Sequence, residues 1–475
     1  MKRLCLIVLL LHPTALVLAQ GSYQHIYDAF RSNVVASFEE SARDMCTKWE
    51  RHIVLEGLER SSKPPVDSFP ETPEEAVRSG KQLRVSEVIH VVDYAVPLKT
   101  DSAERRRDAT PDTSGCRCIT FSFYGQPQTL FIPRALGSVH PSGITEDAVA
   151  AFWRTLSQMD VTAILQEAGR LRSGAGYNDW AILSWVQQLS HVLYPQNRYS
   201  ECTVFSVYLL NRMGLMARMA RAGSRLTLLF AAKQTVYGRK YVVLDTYPFY
   251  LADPSLKAGE VFTYGEVATW HTRPLDLRIL EPVSLGESSY KSVHKASRVF
   301  GKSFSLPLNL SLVAFYSDYP QLEAREYVLS QPDPLFKEAI LKTLRPLLEA
   351  DKDDEPVNRL LEFLQKDFAY KVDTEQFGYE KPFFPEENFF YAYNDCEDRS
   401  VLFSFLAWNL LNLKTVLLDY EDHMAVAVCL GDNAKGDYVK VGNDRYYVCD
   451  PSYVNAPVGV SMPHYRNRSV TVWVL

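Results

Sequence analysis

The chain carries Asn394-Asp395-Cys396-Glu397-Asp398-Arg399 and runs on as Ser400-Val401-Leu402-Phe403-Ser404-Phe405-Leu406-Ala407. A polar run that turns at once into an apolar one marks the start of a helix. Asp395 suits the N-cap, because its carboxylate can accept a free amide of the first turn. Asp398, three residues on, completes an acidic form of the capping box. Cys396 is then the first helical residue. A thiolate there would meet unpaired backbone amides and the positive end of the helix dipole, which lowers its pKa. The carboxylates of Asp395, Glu397 and Asp398 act in the opposite sense, so an imidazolium would have to outweigh them. The plain alternative is an ordinary buried thiol, but these polar flanks do not resemble a core face.

Two later segments supply partners. His423 follows Asp419-Tyr420-Glu421-Asp422 and opens the apolar run Met424 to Leu430, which predicts a strand buried on both faces. Asp450 closes Arg445 to Cys449, a second predicted strand after the turn Gly442-Asn443-Asp444. Antiparallel pairing of the two strands would bring Asp450 beside His423. Asp450 would accept from one imidazole nitrogen while the other faces Cys396. Taken singly, His423 is also a satisfied core histidine, and Asp450-Pro451-Ser452 is also a plain turn. Alternation along the strands puts Cys429 and Cys449 on opposite faces, which argues against a bridge between them.

The same order of features occurs earlier. Val204-Phe205-Ser206-Val207 matches Leu402-Phe403-Ser404-Phe405 at an offset of 198 residues. That offset also lays Arg225-Leu226-Thr227-Leu228 on His423-Met424-Ala425-Val426, and an offset of 197 lays Asp253-Pro254-Ser255 on Asp450-Pro451-Ser452. Three anchors in one order predict a duplicated unit. The chemistry is not duplicated, since Arg198, Arg225 and Asp253 stand where the second copy has Cys396, His423 and Asp450. Arg198 and Arg225 could bind a carboxylate such as a peptide terminus. A surface pair bridged to Asp253 is the simpler expectation.

The whole chain has 475 residues, 47% of them apolar and 23% charged, with a formal net charge of -6. This is globular material, and no basic block suggests a nucleic-acid partner. Lys2, Arg3, the apolar Leu4 to Leu11 and Val17-Leu18-Ala19 predict a signal peptide over 1–19. No later stretch predicts a stable membrane span, so export to a periplasmic or extracellular space is expected. Beyond Cys5 there are seven cysteines, an odd number that leaves at least one thiol unpaired. Residues 24–60 show helical spacing. No metal-ligand spacing links His464, Asp419 and Asp422, so neither a metal nor another cofactor is expected.

Cys at a helix start, His at the head of the next strand and Asp ending a following strand resemble the transglutaminase-like superfamily, with its papain-like cysteine peptidase arrangement, in a bacterial secreted form. The resemblance covers roughly 350–475, with a degenerate version over roughly 150–260. It implies an α+β core in which a Cys-bearing helix packs on an antiparallel sheet. It also implies Cys396 as nucleophile, His423 as general base and acid, and Asp450 as orienter of the imidazole. The oxyanion would be held by the Cys396 amide and an upstream side chain, Tyr391 or Tyr393. The implied organisation is a signal peptide (1–19), an N-terminal α+β region (20–144), a degenerate transglutaminase-like domain (145–260), a β-rich connector (261–345) and a catalytic domain (346–475). The implied activity is hydrolysis of an amide or peptide bond in a peptide, protein or cell-wall peptide. The alternatives are a non-catalytic peptide- or glycan-binding scaffold and a protein-glutamine transamidase.

Overall fold

The computed structural model describes residues 51–54, 56–58, 80–90, 115–195, 197–256, 260–263, 272–285, 289–349, 355–431 and 434–475. The expected signal peptide and Cys46 lie outside these residues.

Two helices set the architecture. Cys396–Leu411 begins with the predicted cap: Asp395 accepts from the amides of Glu397 and Asp398, and the Asp398 carboxylate accepts from the Asp395 amide. Its side chains are apolar on nearly every face, and such a helix is stable only when surrounded. Every residue from Cys396 to Ala407 is indeed buried. Asn412, left-handed at φ 54°, ends it. The earlier helix Tyr199–Arg212 is likewise buried from Cys202 to Leu210.

Each helix is followed by four strands. After the first come Ala217–Ala222, Arg225–Ala231, Lys240–Leu244 and Tyr247–Leu251. After the second come Thr415–Tyr420, His423–Cys429, Tyr438–Val441 and Asp444–Cys449. In both sheets the neighbour order of the four is first, second, fourth, third, with antiparallel pairing throughout. The registers match as well: Ala222 faces Arg225 across one corner and Tyr420 faces His423 across the other.

Other segments extend these sheets. Glu260–Thr263, Arg51–Val54 and Glu56–Gly57 complete a seven-stranded sheet. The helical reading of 24–60 therefore fails at 51–54 and 56–57, where the backbone is drawn into strand pairing with Glu260–Thr263 and Lys240–Tyr241. The rest of that reading lies outside the described residues. Ser469–Val474 and, parallel to it, Arg84–Ile89 complete a six-stranded sheet. The hairpin Cys116–Phe123/Gln126–Pro133 buries Phe121, Phe123, Leu130 and Ile132 in the main core. Segment 261–345, expected to be β-rich, contains the hairpin Tyr290–Ser297/Lys302–Asn309 and then three helices, Leu310–Ser317, Ala324–Val328 and Pro334–Leu348. Asn309 and Asp333 start two of these by capping amides of their first turns. One apolar core runs through both halves and includes Phe205 and Phe403. Among the described residues no helix is long and apolar enough to cross a membrane.

Arg399 ties the second half together. Its guanidinium is buried, and it donates to the Phe368 carbonyl (2.7 Å), the Asn394 side chain (2.9 Å) and the Pro451 carbonyl (3.4 Å). Arg399→Leu strands these buried acceptors, each worth about 1–3 kcal/mol. The expected outcome is a loss of roughly 3 kcal/mol or more, seen as a lower urea midpoint, while exposed Arg298→Leu stays close to wild type.

Candidate functional site

Cys396 lies at the N-terminal end of its helix and is only 1% exposed. One turn on, the Ser400 hydroxyl donates to the Met424 carbonyl at 3.3 Å, so the helix start is fastened beside the residue that follows His423. His423 is fully buried. Its Nε2 lies 2.8 Å from Oδ2 of Asp450. Oδ1 of Asp450 accepts from the Ser452 amide (3.0 Å), the Ser452 hydroxyl (2.8 Å) and the Tyr453 amide (3.2 Å). Burial alone would raise the Asp450 pKa, but His423 and Ser452 outweigh it and hold the carboxyl below its ordinary value. The carboxylate is thus ionised, fixed and aimed at the imidazole. The His423 ring is stacked on Tyr465, with centroids 4.7 Å apart.

The structure brings a residue to the thiol that the sequence reading missed. Tyr370 pairs in parallel with Asn394, two residues before Cys396. Burial first, and then the adjacent Cys396 thiol, push the Tyr370 pKa far up, so its hydroxyl stays protonated beside the sulfur. No periodicity or motif marks Tyr370; only the pairing of two very short strands places it. The sequence-derived oxyanion candidates point elsewhere. Tyr391 stacks on Phe383 (4.9 Å) and lies under the Lys381 ammonium, while Tyr393 is exposed beside Lys371.

Carboxyl groups crowd the same helix start. Oxygens of Asp373, Glu380 and Asp395, all buried, lie within 4.8 Å of one another. Such a trio could hold a divalent cation. A proton can also relieve the repulsion: burial, then the charge of Asp395, raises the Asp373 pKa to about 9. Asp373 is then neutral near pH 7 while still accepting from the Lys381 amide.

The first half repeats this scaffold with different chemistry. Arg225 Nη2 lies 3.1 Å from Oδ2 of Asp253, and Oδ1 accepts from the Ser255 amide and hydroxyl (2.9 and 2.6 Å). Arg198 is exposed, 2.9 Å from Nδ1 of His140. The two arginines therefore serve different partners, and Arg225 has the expected bridge to Asp253. Cys202 is 3.6 Å from His191, but burial pushes its pKa up to about 11, which suits a core thiol and not a nucleophile. Cys429 and Cys449 are both unbridged, with Cys449 packed in the main core and Cys429 against the core on the opposite face of the sheet.

Comparison with protein-family models, curated proteins and solved structures found no match to the chain.

The Asp373 carboxyl predicts a pH dependence. Its folded pKa of about 9 lies above the unfolded value, which is about 4. Its contribution to stability is therefore full below about pH 4 and is lost as pH rises toward the folded value. Asp373→Asn should flatten the fall in denaturation midpoint between neutral pH and about pH 9, measured against wild type in the same buffers.

Proposed function

We propose that the chain is an exported thiol hydrolase of amide or peptide bonds, with Cys396 as nucleophile, His423 as general base and acid, and Asp450 as the group that orients His423. The observation that carries this reading is the buried 2.8 Å bond between His423 Nε2 and Asp450 Oδ2, at the head of the strand on which the Cys396 helix is fastened. With Nε2 committed to the carboxylate, Nδ1 is the nitrogen that would exchange a proton with the thiol. The Cys396 sulfur would attack the substrate carbonyl and pass its proton through His423 to the leaving amine. Water would then hydrolyse the acyl-thioenzyme. Tyr370, a protonated hydroxyl beside the sulfur, joins the Cys396 amide as proposed donor to the oxyanion. The substrate class is a peptide, protein or cell-wall peptide, in keeping with export. An amine in place of water would give transamidation by the same intermediate.

A second reading has its own support. Cys396 and His423 are almost wholly buried, and the first half keeps the same Asp-Pro-Ser turn with Arg198 where the second half has its Cys396. Both fit a scaffold that binds peptide without cleaving it.

Alkylation and turnover separate the two. For the hydrolase, iodoacetamide should label Cys396 rapidly at pH 6, and His423→Ala should slow labelling more than about tenfold. Hydrolysis of a fluorogenic peptide set should fall by about a thousandfold or more in Cys396→Ala, and strongly in Asp450→Asn. Labelling at the rate of an ordinary thiol, unchanged in His423→Ala, together with no hydrolysis, would leave the binding scaffold as the reading.

A further inference from the structure

A cavity of about 810 Å³ opens between the first half of the molecule and the loop that precedes the Cys396 helix. Its wall includes Trp180, Gln187, Gln188, Arg239, Tyr379 and Glu380. Neither Cys396 nor His423 lines it. Glu380, however, also belongs to the carboxyl trio with Asp395, so the cavity reaches the neighbourhood of the candidate thiol.

Arg239 is the unusual group here. It is only 8% exposed. Its hydrogen bonds both run through Nη1, to the carbonyls of Leu251 (3.1 Å) and Ala252 (2.6 Å). Its guanidinium lies over the Trp180 ring, 5.1 Å from the centroid. Among the described residues no carboxylate stands within ion-pair distance of it. Asp253 and Asp318 act on it from further away, and they are already engaged by Arg225 and by the Tyr124 hydroxyl. Burial lowers its pKa only to about 10, so it is a cation at neutral pH. Its charge is therefore compensated only at a distance, by two carboxylates that serve other partners, one of which, Asp318, also lines the cavity. A guanidinium has five N–H donors, and a carboxylate is the anion that matches its fork. A second observation concerns Trp180 itself, which is 3% exposed and lines the same cavity. Its indole Nε1 is buried without an acceptor. That indole nitrogen has no surface open to the cavity, so the donors left for a bound anionic ligand are Arg239 Nε and Nη2, which take part in neither of the arginine's hydrogen bonds.

The remaining wall narrows the ligand class. The volume is within the range of about 300–1,000 Å³ typical of small-molecule sites and far exceeds an inorganic anion. Gln187 and Gln188 offer side-chain amides suited to peptide groups, and tyrosine rings supply apolar faces. We propose that this cavity binds the carboxy-terminal end of a short peptide, with the terminal carboxylate paired to Arg239. The site rests on the cavity and Arg239 alone and holds whether or not Cys396 reacts.

The test uses the full chain carrying Cys396→Ala, so that binding is read without turnover. An equimolar set of N-acetyl-alanyl dipeptides with free carboxylates competes with the corresponding dipeptide amides, and retained ligands are counted by mass spectrometry. The acids should be retained at least tenfold over the amides, and the best acid should quench tryptophan fluorescence in a way that Trp180→Phe removes. Arg239→Gln should abolish the preference for acids and Arg239→Lys should keep part of it. Retention of neither set, or of both equally, overturns the proposal. So does a folded Arg239→Gln protein that still prefers acids. The comparison of acids with amides needs no Arg239 variant, so it decides the matter even if Arg239→Gln fails to fold. Hydrolysis is measured separately on the chain with Cys396 intact, so loss of one activity does not mask the other.

Discussion

A buried cation with several carbonyls to satisfy constrains the second half of the molecule. Arg399 sits in the first turn of the Cys396 helix and reaches the C-terminal end of the helix Pro356–Asp367, at Phe368, and the turn after Asp450, at Pro451. These three pieces of chain carry the thiol, the Tyr370 hydroxyl and the carboxylate that holds His423. If the guanidinium moves, all three move with it. Gln365 works alongside, donating to the carbonyls of Asp450 and Ala456 and accepting from the Asn455 amide. The position of Asp450 is therefore set by backbone contacts as well as by His423.

The two halves show which parts of the motif are architecture. In each, the aspartate of Asp-Pro-Ser uses one oxygen to close its own turn and turns the other toward the first residue of a neighbouring strand. The turn would form with either partner. What differs is the partner. Arg225 gives a permanent cation at a half-exposed site, and His423 gives a titratable ring in a buried one. The fold thus provides a held carboxylate twice, and the choice of one residue opposite it decides whether acid–base chemistry is open to that half.

Much of this could be read from the chain, and the reasons are local. The cap of the Cys396 helix lies within four consecutive residues. The repeat is carried by whole elements, and the strand order agrees with it. The pairing of His423 with Asp450 follows from two strands and their register. Tyr370 and Arg239 could not be found this way. Tyr370 depends on a pairing only two residues long, and Arg239 matters because of what surrounds it in space. The strand at 51–54 departs from the helical spacing over 24–60 because its state is set by a partner some two hundred positions away. Propensity gives way to such pairing readily.

The strand Ser469–Val474 lies between Thr415–Tyr420 and Arg84–Ile89, and the last two never touch without it. The contact of Ser86 with Thr471 spans 385 positions. Loop closure over such a distance is slow compared with the pairing of adjacent strands. During synthesis, residues 84–89 would leave the ribosome long before their partner exists. The seven-stranded sheet, complete by Thr263, can form first. The sheet that carries His423 is completed only when the most distant segments meet, the chain just before Arg84 pairing also with Tyr438 at its other side, so the half that holds Cys396 and His423 is the last to be completed.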